Sequence, residues 1–320
     1  MKHYKSVLDI IRRYRKFLVT THHNPDADAL CSALVMAMFL ESKGKQVHVL
    51  NENACPDWLK FLPGTSILKK AGDVKKVDHE AAIVLDCGDL KRAGEVVKFI
   101  QKGKPLINID HHVTNDKFGN INVVQSKASS TCEMIFDLLK EAKHPLNKNI
   151  AMLLYAGIMT DTGSFRYENT SAHSHAVVEE LMAFKFSAAR MYDRLYVGIP
   201  VADMKMFTDV IHNAQLLDGN RLFCVSLPKR VAERFSKSFD LKDKLFTFLR
   251  SIEGIEVVAI LTELGPKEIR VNLRSQNSFD VASLAQRFDG GGHKKAAGCK
   301  VYEPLAQAQK TICRAIHQQL

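Results

Sequence analysis

The sequence has no CxxC pair, no apolar run long enough to cross a bilayer, no internal repeat and no low-complexity tract. Each absence excludes something. Its seven cysteines are odd in number and scattered, which argues against a disulfide framework or a structural zinc site and fits reduced thiols. The longest apolar stretch, ALCSALVMAMFL, falls short of the roughly 18 residues a membrane span needs and suits a buried helix. The first residues, MKHYKSVLDIIRRYRKF, scatter charge through their apolar positions and offer no small-residue cleavage site, so they do not read as a signal peptide. A cytoplasmic protein without a membrane partner is expected.

At 320 residues the chain is about twice the usual domain length, and two domains are the default expectation. Hydrophobic content of 46% with 25% charged residues is ordinary for a globular chain and excludes a disordered or collagenous one. The 45 basic against 35 acidic residues leave a net charge of +10, which favours phosphate-bearing partners from a nucleotide to RNA, unless most of it is solvated surface.

Short continuous apolar runs alternate with amphipathic stretches along the first half: KFLVT then DALCSALVMAMFLESKG, QVHVLN, AAIVLD then GEVVKFIQKG, and PLINID. That alternation predicts a mainly parallel sheet with helices on both faces. Ser129 or Ser130 can cap a helix over TCEMIFDLLKEA, and NKNIAMLLYAGIMTDTG carries a further helix. Later, RLFCVSLP, IEVVAILTEL and KEIRVNLRS read as strands, the last two joined at GPK, with helices over Val281–Phe288 and near the C-terminus. The expected organisation is α/β: a catalytic domain over 1–187, a linker over 188–202 and a smaller mixed α/β domain over 203–320.

Four acidic or histidine clusters end apolar elements: His22, Asp26 and Asp28; Asp86; Asp110, His111 and His112; and Asp161. Each has a plain alternative, since Asp caps helices, Pro25 suits a first turn, Asp86 can turn the chain, and histidines can be satisfied in a core. In a parallel sheet, however, the carboxyl ends of strands share one edge, where ligands bind. Unpaired carboxylates gathered there repel one another and need a cation. A His and carboxylate set without cysteine suits Mn²⁺ or a similar ion. Two such ions about 3.5 to 4 Å apart, bridged by one carboxylate, would polarise a phosphoryl group and acidify a water, so phosphoester hydrolysis is the expected chemistry.

In the second half, RSQNSFDVASLAQRFDGGGHKKAAG joins a basic strand end to three successive glycines and a histidine. Backbone N–H groups freed of Cβ can turn towards an anion there; the alternative is a flexible connection between helices.

HHNPDADA, VLDCGD, IDHHVTND and GIMTDTGSF resemble, in order, the four motifs of the DHH phosphoesterases, and GGGHKKAAG resembles the signature of their DHHA1 domain. Length and loop are most similar to the nanoRNase and pAp phosphatase subfamily. The resemblance implies one metal on His22, Asp26 and Asp86 and a second on Asp28, Asp86, His111 and Asp161, with Asp86 bridging. It implies that His112 faces the substrate phosphate and that Asp110 orients the histidine loop, whereas His23 lies outside the pattern. Arg274, Ser275 and His293 would contact a non-scissile phosphate or nucleotide, with Gly291 and Gly292 giving backbone room. Two Mn²⁺ ions are implied as cofactors, with Mg²⁺ or Co²⁺ as substitutes.

Substrates implied are 3'-phosphoadenosine 5'-phosphate (pAp) and oligoribonucleotides of a few residues, bound in a cleft between the domains. A phosphodiesterase for cyclic di-AMP or its product pApA, and a non-catalytic nucleotide or RNA sensor, are the alternatives; family II pyrophosphatase shares the DHH motifs but not a GGGH loop. A homodimer through the first domain is left open, no pattern in the residues carrying it. Two positions depart from the family: Cys31 and Asp289 stand where glycine is common.

Overall fold

The computed structural model describes residues 4–236, 239 and 241–320, and divides into two compact units, Met1–Leu195 and Tyr196–Leu320. The first unit is built in the order α1 (Lys5–Arg13), β1 (Lys16–Thr20), α2 (Ala27–Ser42), β2 (Gln46–Asn51), β3 (Leu68–Lys70), β4 (Ala81–Leu85), β5 (Leu106–Asp110), β6 (Ile121–Val124), α3 (Thr131–Glu141), α4 (Lys148–Asp161), α5 (Ala172–Met182) and α6 (Ala188–Tyr196). All its sheet pairings are parallel, in the order β3-β2-β1-β4-β5-β6. The order reverses direction between β1 and β4, so the loops after these two strands open a crevice at the carboxyl edge.

The four apolar runs singled out in the sequence are the four central strands; β1, β4 and β5 are buried on both faces and read as unbroken hydrophobic stretches, whereas β2 is buried only over Val49–Asn51. β3 and β6 escape such reading because they lie at the sheet's edges, are three and four residues long, and are largely uncovered. ALCSALVMAMFL does lie in a helix. α2 is buried nearly all round because it packs against α3 and α4 as well as the sheet.

GEVVKFIQKG departs from expectation. Leu90–Phe99 forms tight 3₁₀ turns broken at Gly94, whose φ of +61° interrupts any regular helix and where a Cβ would strike the Glu52 carboxylate. The stretch 188–202 read as a linker holds α6 and the start of α7 (Val201–His212).

The second unit continues with β7 (Gln215–Leu217), β8 (Leu222–Leu227), α8 (Lys229–Ala232), α9 (Leu241–Leu249), β9 (Val257–Gly265), β10 (Glu268–Ser275), α10 (Val281–Gln286), β11 (Gly291–His293), β12 (Ala296–Val301) and α11 (Leu305–His317). Its sheet runs β11-β12-β10-β9-β8-β7 and is mixed, with β8 and β9 parallel and the other pairs antiparallel. Alternation on β9 feeds two cores: Val257, Ala259 and Leu261 join the α10 and α11 side, while Val258 and Ile260 face Phe207, Leu245 and Leu249 of α7 and α9. β10 buries Ile269, Val271, Leu273 and Ser275, leaving Arg270, Asn272 and Arg274 half-buried on its opposite face.

Candidate metal and phosphate site

Three strands and two helices deliver the first unit's acidic and histidine residues to one place. His22 lies two residues past β1, Asp86 follows β4 directly, and Asp110 ends β5 with His111 and His112 behind it. Asp86 has φ +53°, a left-handed turn that Asp tolerates and that swings the chain out of the strand. Asp26 is the N-cap of α2, accepting from the Ala29 N–H at 3.0 Å, so the plain helix-start reading of NPDAD is also true; Pro25 precedes the cap. Asp28, two residues on, is 1% exposed and accepts from the backbone N–H groups of Thr131 (2.7 Å) and Cys132 (2.8 Å) at the start of α3. Asp161 is the last residue of α4, where the helix dipole disfavours a carboxylate.

The imidazoles are aimed by their backbone. His22 donates Nδ1–H to its neighbour's carbonyl, His23 O, at 2.8 Å, and His111 donates Nδ1–H to Ala128 O at 3.4 Å. Each ring is thereby turned so that Nε2 faces carboxylates: His22 Nε2 is 3.5 Å from Asp86 and 3.8 Å from Asp26, and His111 Nε2 is 3.5 Å from Asp86 and 3.4 Å from Asp161. His112 is held through Nδ1, 2.7 Å from Asp110 and 3.7 Å from Asp86, so a phosphate contact would be made from Nε2. His23 turns away, its Nδ1 donating to Arg92 O at 2.8 Å.

Among the described residues of this unit, three sets bring one ligand atom per residue within 4.8 Å of one another: His22, Asp26 and Asp86; Asp28, Asp86 and His111; Asp86, Asp110 and His112. Asp86 belongs to every one. Asp161 joins the second through His111.

Charge is balanced only in part. Burial raises Asp28, and the charges of Asp86 and Asp161 raise it further. Burial likewise pushes Asp161 up to about 6. Burial alone would lower His111, but Asp161, Asp86 and Asp28 outweigh it and lift the imidazole to about 9; His22 is raised against the same opposition by Asp86 and Asp26. Asp86 and Asp110 are lowered despite burial, Asp86 by the three histidines and Asp110 mainly by its bond to His112. A proton on His111 therefore offsets part of the carboxylate charge. A divalent cation would take over that role, and the donors suit one: oxygen and imidazole nitrogen without thiolate, rings oriented through Nδ1, and carboxylates of which Asp28 and Asp86 are buried.

Two residues without an assigned role in the sequence support this cluster. Thr131 Oγ1 donates to Asp86 Oδ1 at 2.9 Å, and Asn115 Nδ2 donates to Asp110 Oδ2 at 2.6 Å and to Asn108 Oδ1 at 2.8 Å. Asn115 stood inside the IDHHVTND motif; Thr131 was signalled only as a neighbour of a helix cap. That cap is Ser130, accepting from Glu133 N–H, while Ser129 donates its hydroxyl to the Glu133 carboxylate. Thr131→Val keeps the shape and removes the bond. We expect affinity for divalent metal to fall by about 10- to 100-fold, read by titration calorimetry, with thermal stability almost unchanged.

The second unit's residues are placed as follows. Arg274, the last residue but one of β10, holds its guanidinium 4.9 Å over Phe246. Ser275 is buried, donating its hydroxyl to Phe279 O at 2.8 Å, so it braces the loop that follows. Gly291, Gly292 and His293 form β11, paired antiparallel with β12, so the stretch is not a flexible connection between helices. A Cβ on Gly292 would strike Ala296 O and one on Gly290 would strike Gly298 O, so these glycines serve the strand pairing; Gly291 faces open space. Asp289 has φ +54°, which is why glycine suits that position and Asp is tolerated. Cys31 is fully buried in α2, and burial holds its thiol well above the usual range.

Residues 16–158 match the DHH family, N-terminal domain, and residues 239–320 match the DHHA1 domain. A probable bifunctional oligoribonuclease and PAP phosphatase NrnA of Streptococcus mutans is 30% identical over 304 residues, covering 94% of each chain. The chain belongs to the DHH–DHHA1 phosphoesterase family. Bifunctional oligoribonuclease and PAP phosphatase NrnA of Thermus thermophilus is also 30% identical, over 94% of this chain and 89% of its own. Among solved structures, an exopolyphosphatase-related protein from Bacteroides fragilis superposes with a TM-score of 0.89 at 26% identity, covering 99% of this chain and 96% of that one. Both sheets thus belong to a DHH–DHHA1 protein of mixed α/β class. Among the described residues no helix is long and apolar enough to cross a membrane, and all seven cysteines are free thiols.

Proposed function

We propose that this DHH–DHHA1 protein is a manganese-dependent phosphoesterase that hydrolyses pAp to AMP and phosphate and degrades oligoribonucleotides of a few residues to mononucleotides. The observation that carries the reading is the membership of Asp86 in every donor set of the first unit, which suits a carboxylate bridging two cations. The names of the NrnA relatives support the substrate class.

His22, Asp26 and Asp86 would hold one ion, and Asp28, Asp86, His111 and Asp161 the other. Bound there, the pair would supply positive charge against phosphoryl oxygens and acidify a water near neutral pH. The chain's own part is orientation. Asp110 fixes the His112 ring through Nδ1, Asn115 fixes Asp110, and as an imidazolium His112 would donate from Nε2 to a phosphate oxygen whose charge grows in the transition state. Thr131 holds Asp86 in one rotamer. Arg274, Ser275, Gly291, Gly292 and His293 would form the second domain's contribution to substrate, Ser275 indirectly through the loop it braces.

The test is a product assay. Purified chain with Mn²⁺ is expected to release phosphate from pAp and mononucleotides from short RNA, faster than it cleaves cyclic di-AMP or long RNA. Turnover of cyclic di-AMP alone would overturn the substrate assignment, and binding without turnover would make the chain a sensor.

Metal binding is expected to follow pH in one direction. With His111 at about 9, its ring is protonated at neutral pH and must lose that proton to ligate. Affinity for Mn²⁺ should therefore rise by at least about one decade per pH unit between about 7 and 9, more where the raised Asp28 and His22 also give up protons, and fall further below about 6, where Asp161 holds a proton. Calorimetry in buffers of different ionisation enthalpy checks it, since binding at neutral pH should release protons to the buffer.

A further inference from the structure

The first unit has a second charged feature, far from the carboxylate cluster. A hollow of about 340 Å³ is lined by Lys148, Lys185, Arg190 and Arg194 together with Phe61 and Phe186. No Asp or Glu lines it, and among the described residues none of the four cations is in an ion pair. Lys148 begins α4 and Asp161 ends it, so at 1.5 Å per residue the 14-residue helix sets the two about 20 Å apart.

The hollow is preorganised. Arg190 and Arg194 are four apart on α6 and share one face, while Met191 and Leu195 bury the other. Ser187 starts that helix by accepting from the Arg190 N–H at 3.2 Å. The Arg194 guanidinium sits 4.6 Å over the Phe61 ring, which fixes a planar cation as a stacking surface. Phe186 is buried edge-on to Tyr155 at 5.1 Å, a rigid apolar wall.

Four like charges around one apolar-floored hollow repel one another unless an anion joins them. Cations beside aromatic and guanidinium platforms recognise a phosphate attached to a nucleobase, the phosphate by charge-assisted hydrogen bonds and the base by stacking. The volume lies at the lower end for ligand sites and matches a mononucleotide. We propose that this hollow is a second nucleotide site, taking the phosphate of a mononucleotide on Lys148, Lys185 and Arg190 and its base against Arg194 and Phe61. It stands independently of the metal-site reading.

The probe is AMP, titrated by calorimetry into the full chain stripped of divalent ions with chelator. About one AMP per chain is expected to bind, at least about tenfold more tightly than inorganic phosphate or adenosine, because both halves of the ligand are held. Lys185→Glu with Arg190→Glu should weaken it by at least about tenfold. Phe61→Ala should weaken AMP and leave phosphate unchanged, and Asp86→Asn should leave AMP binding as it is. Absence of binding to the stripped wild-type chain, unchanged binding in the double variant, phosphate binding as tightly as AMP, or loss of binding in Asp86→Asn would each overturn the site. A double variant that altered oligomeric state but not AMP affinity would instead make the hollow a subunit contact.

Discussion

Asp86→Asn is expected to lower pAp hydrolysis by at least about 10³-fold, close to 4 kcal/mol of transition-state stabilisation. Asparagine is the informative replacement. It keeps the volume and, like aspartate, accepts the left-handed backbone found at φ +53°, so the turn out of β4 should survive. What it loses is a full negative charge that lies within 3.7 Å of His22, His111 and His112. Because that carboxylate is common to all three donor sets, its neutralisation weakens both proposed ion positions together, where a change at Asp26 would touch one. Elemental analysis should show metal content falling from about two ions per chain to one or none, with circular dichroism unchanged. Wild-type hydrolysis with full metal content in Asp86→Asn would remove the bridging role and the reading built on it.

The second large effect is steric. Gly157 lies in α4 where that helix crosses α3 and the start of α2, and a Cβ there would strike Cys132 Sγ and come within 2.9 Å of Asp28 Oδ1. In an isolated helix alanine would be preferred to glycine by about 1 kcal/mol. Here overpacking of the tight crossing, about 1 to 3 kcal/mol, is expected to exceed that preference and lower the melting temperature by several degrees. Activity should fall further than stability. The wedge pushes on Asp28, whose two oxygens are pinned by Thr131 and Cys132, and a displacement of about 1 Å at a catalytic constellation costs about 10²-fold. Gly157→Ala combined with Cys132→Ala removes the closest obstacle and should recover part of the loss. Thermal unfolding and pAp turnover measured on both variants decide it; a Gly157→Ala chain with wild-type melting and turnover would refute the crossing as the determinant.

Legibility of the chain followed burial. The central strands β1, β4 and β5 are enclosed on both faces and so show as unbroken apolar runs, whereas the edge strands β3 and β6 carry Lys69, Lys70 and Asn122 and leave no pattern. A helical spacing in GEVVKFIQKG was overridden by Gly94, whose backbone is set by its approach to Glu52, a contact 42 positions distant that periodicity cannot register. The GGGH stretch likewise signals glycine without saying why: at positions 290 and 292 the reason is a neighbouring strand, and only at Gly291 is there open space for an anion.

The linear order of residues by itself determined that acidic and histidine groups close four apolar elements, that the first domain is a parallel α/β sheet, and, through its motifs, the family. Those are properties of short segments, where periodicity and local chemistry suffice. Only the tertiary structure decided that Asp28 caps a helix more than 100 residues away, that Thr131 and Asn115 brace the cluster, and that four cations surround a hollow some 20 Å from it. Each of these depends on which strand lies beside which, and that is set by burying the sheet's two faces as a whole, a constraint no segment carries alone.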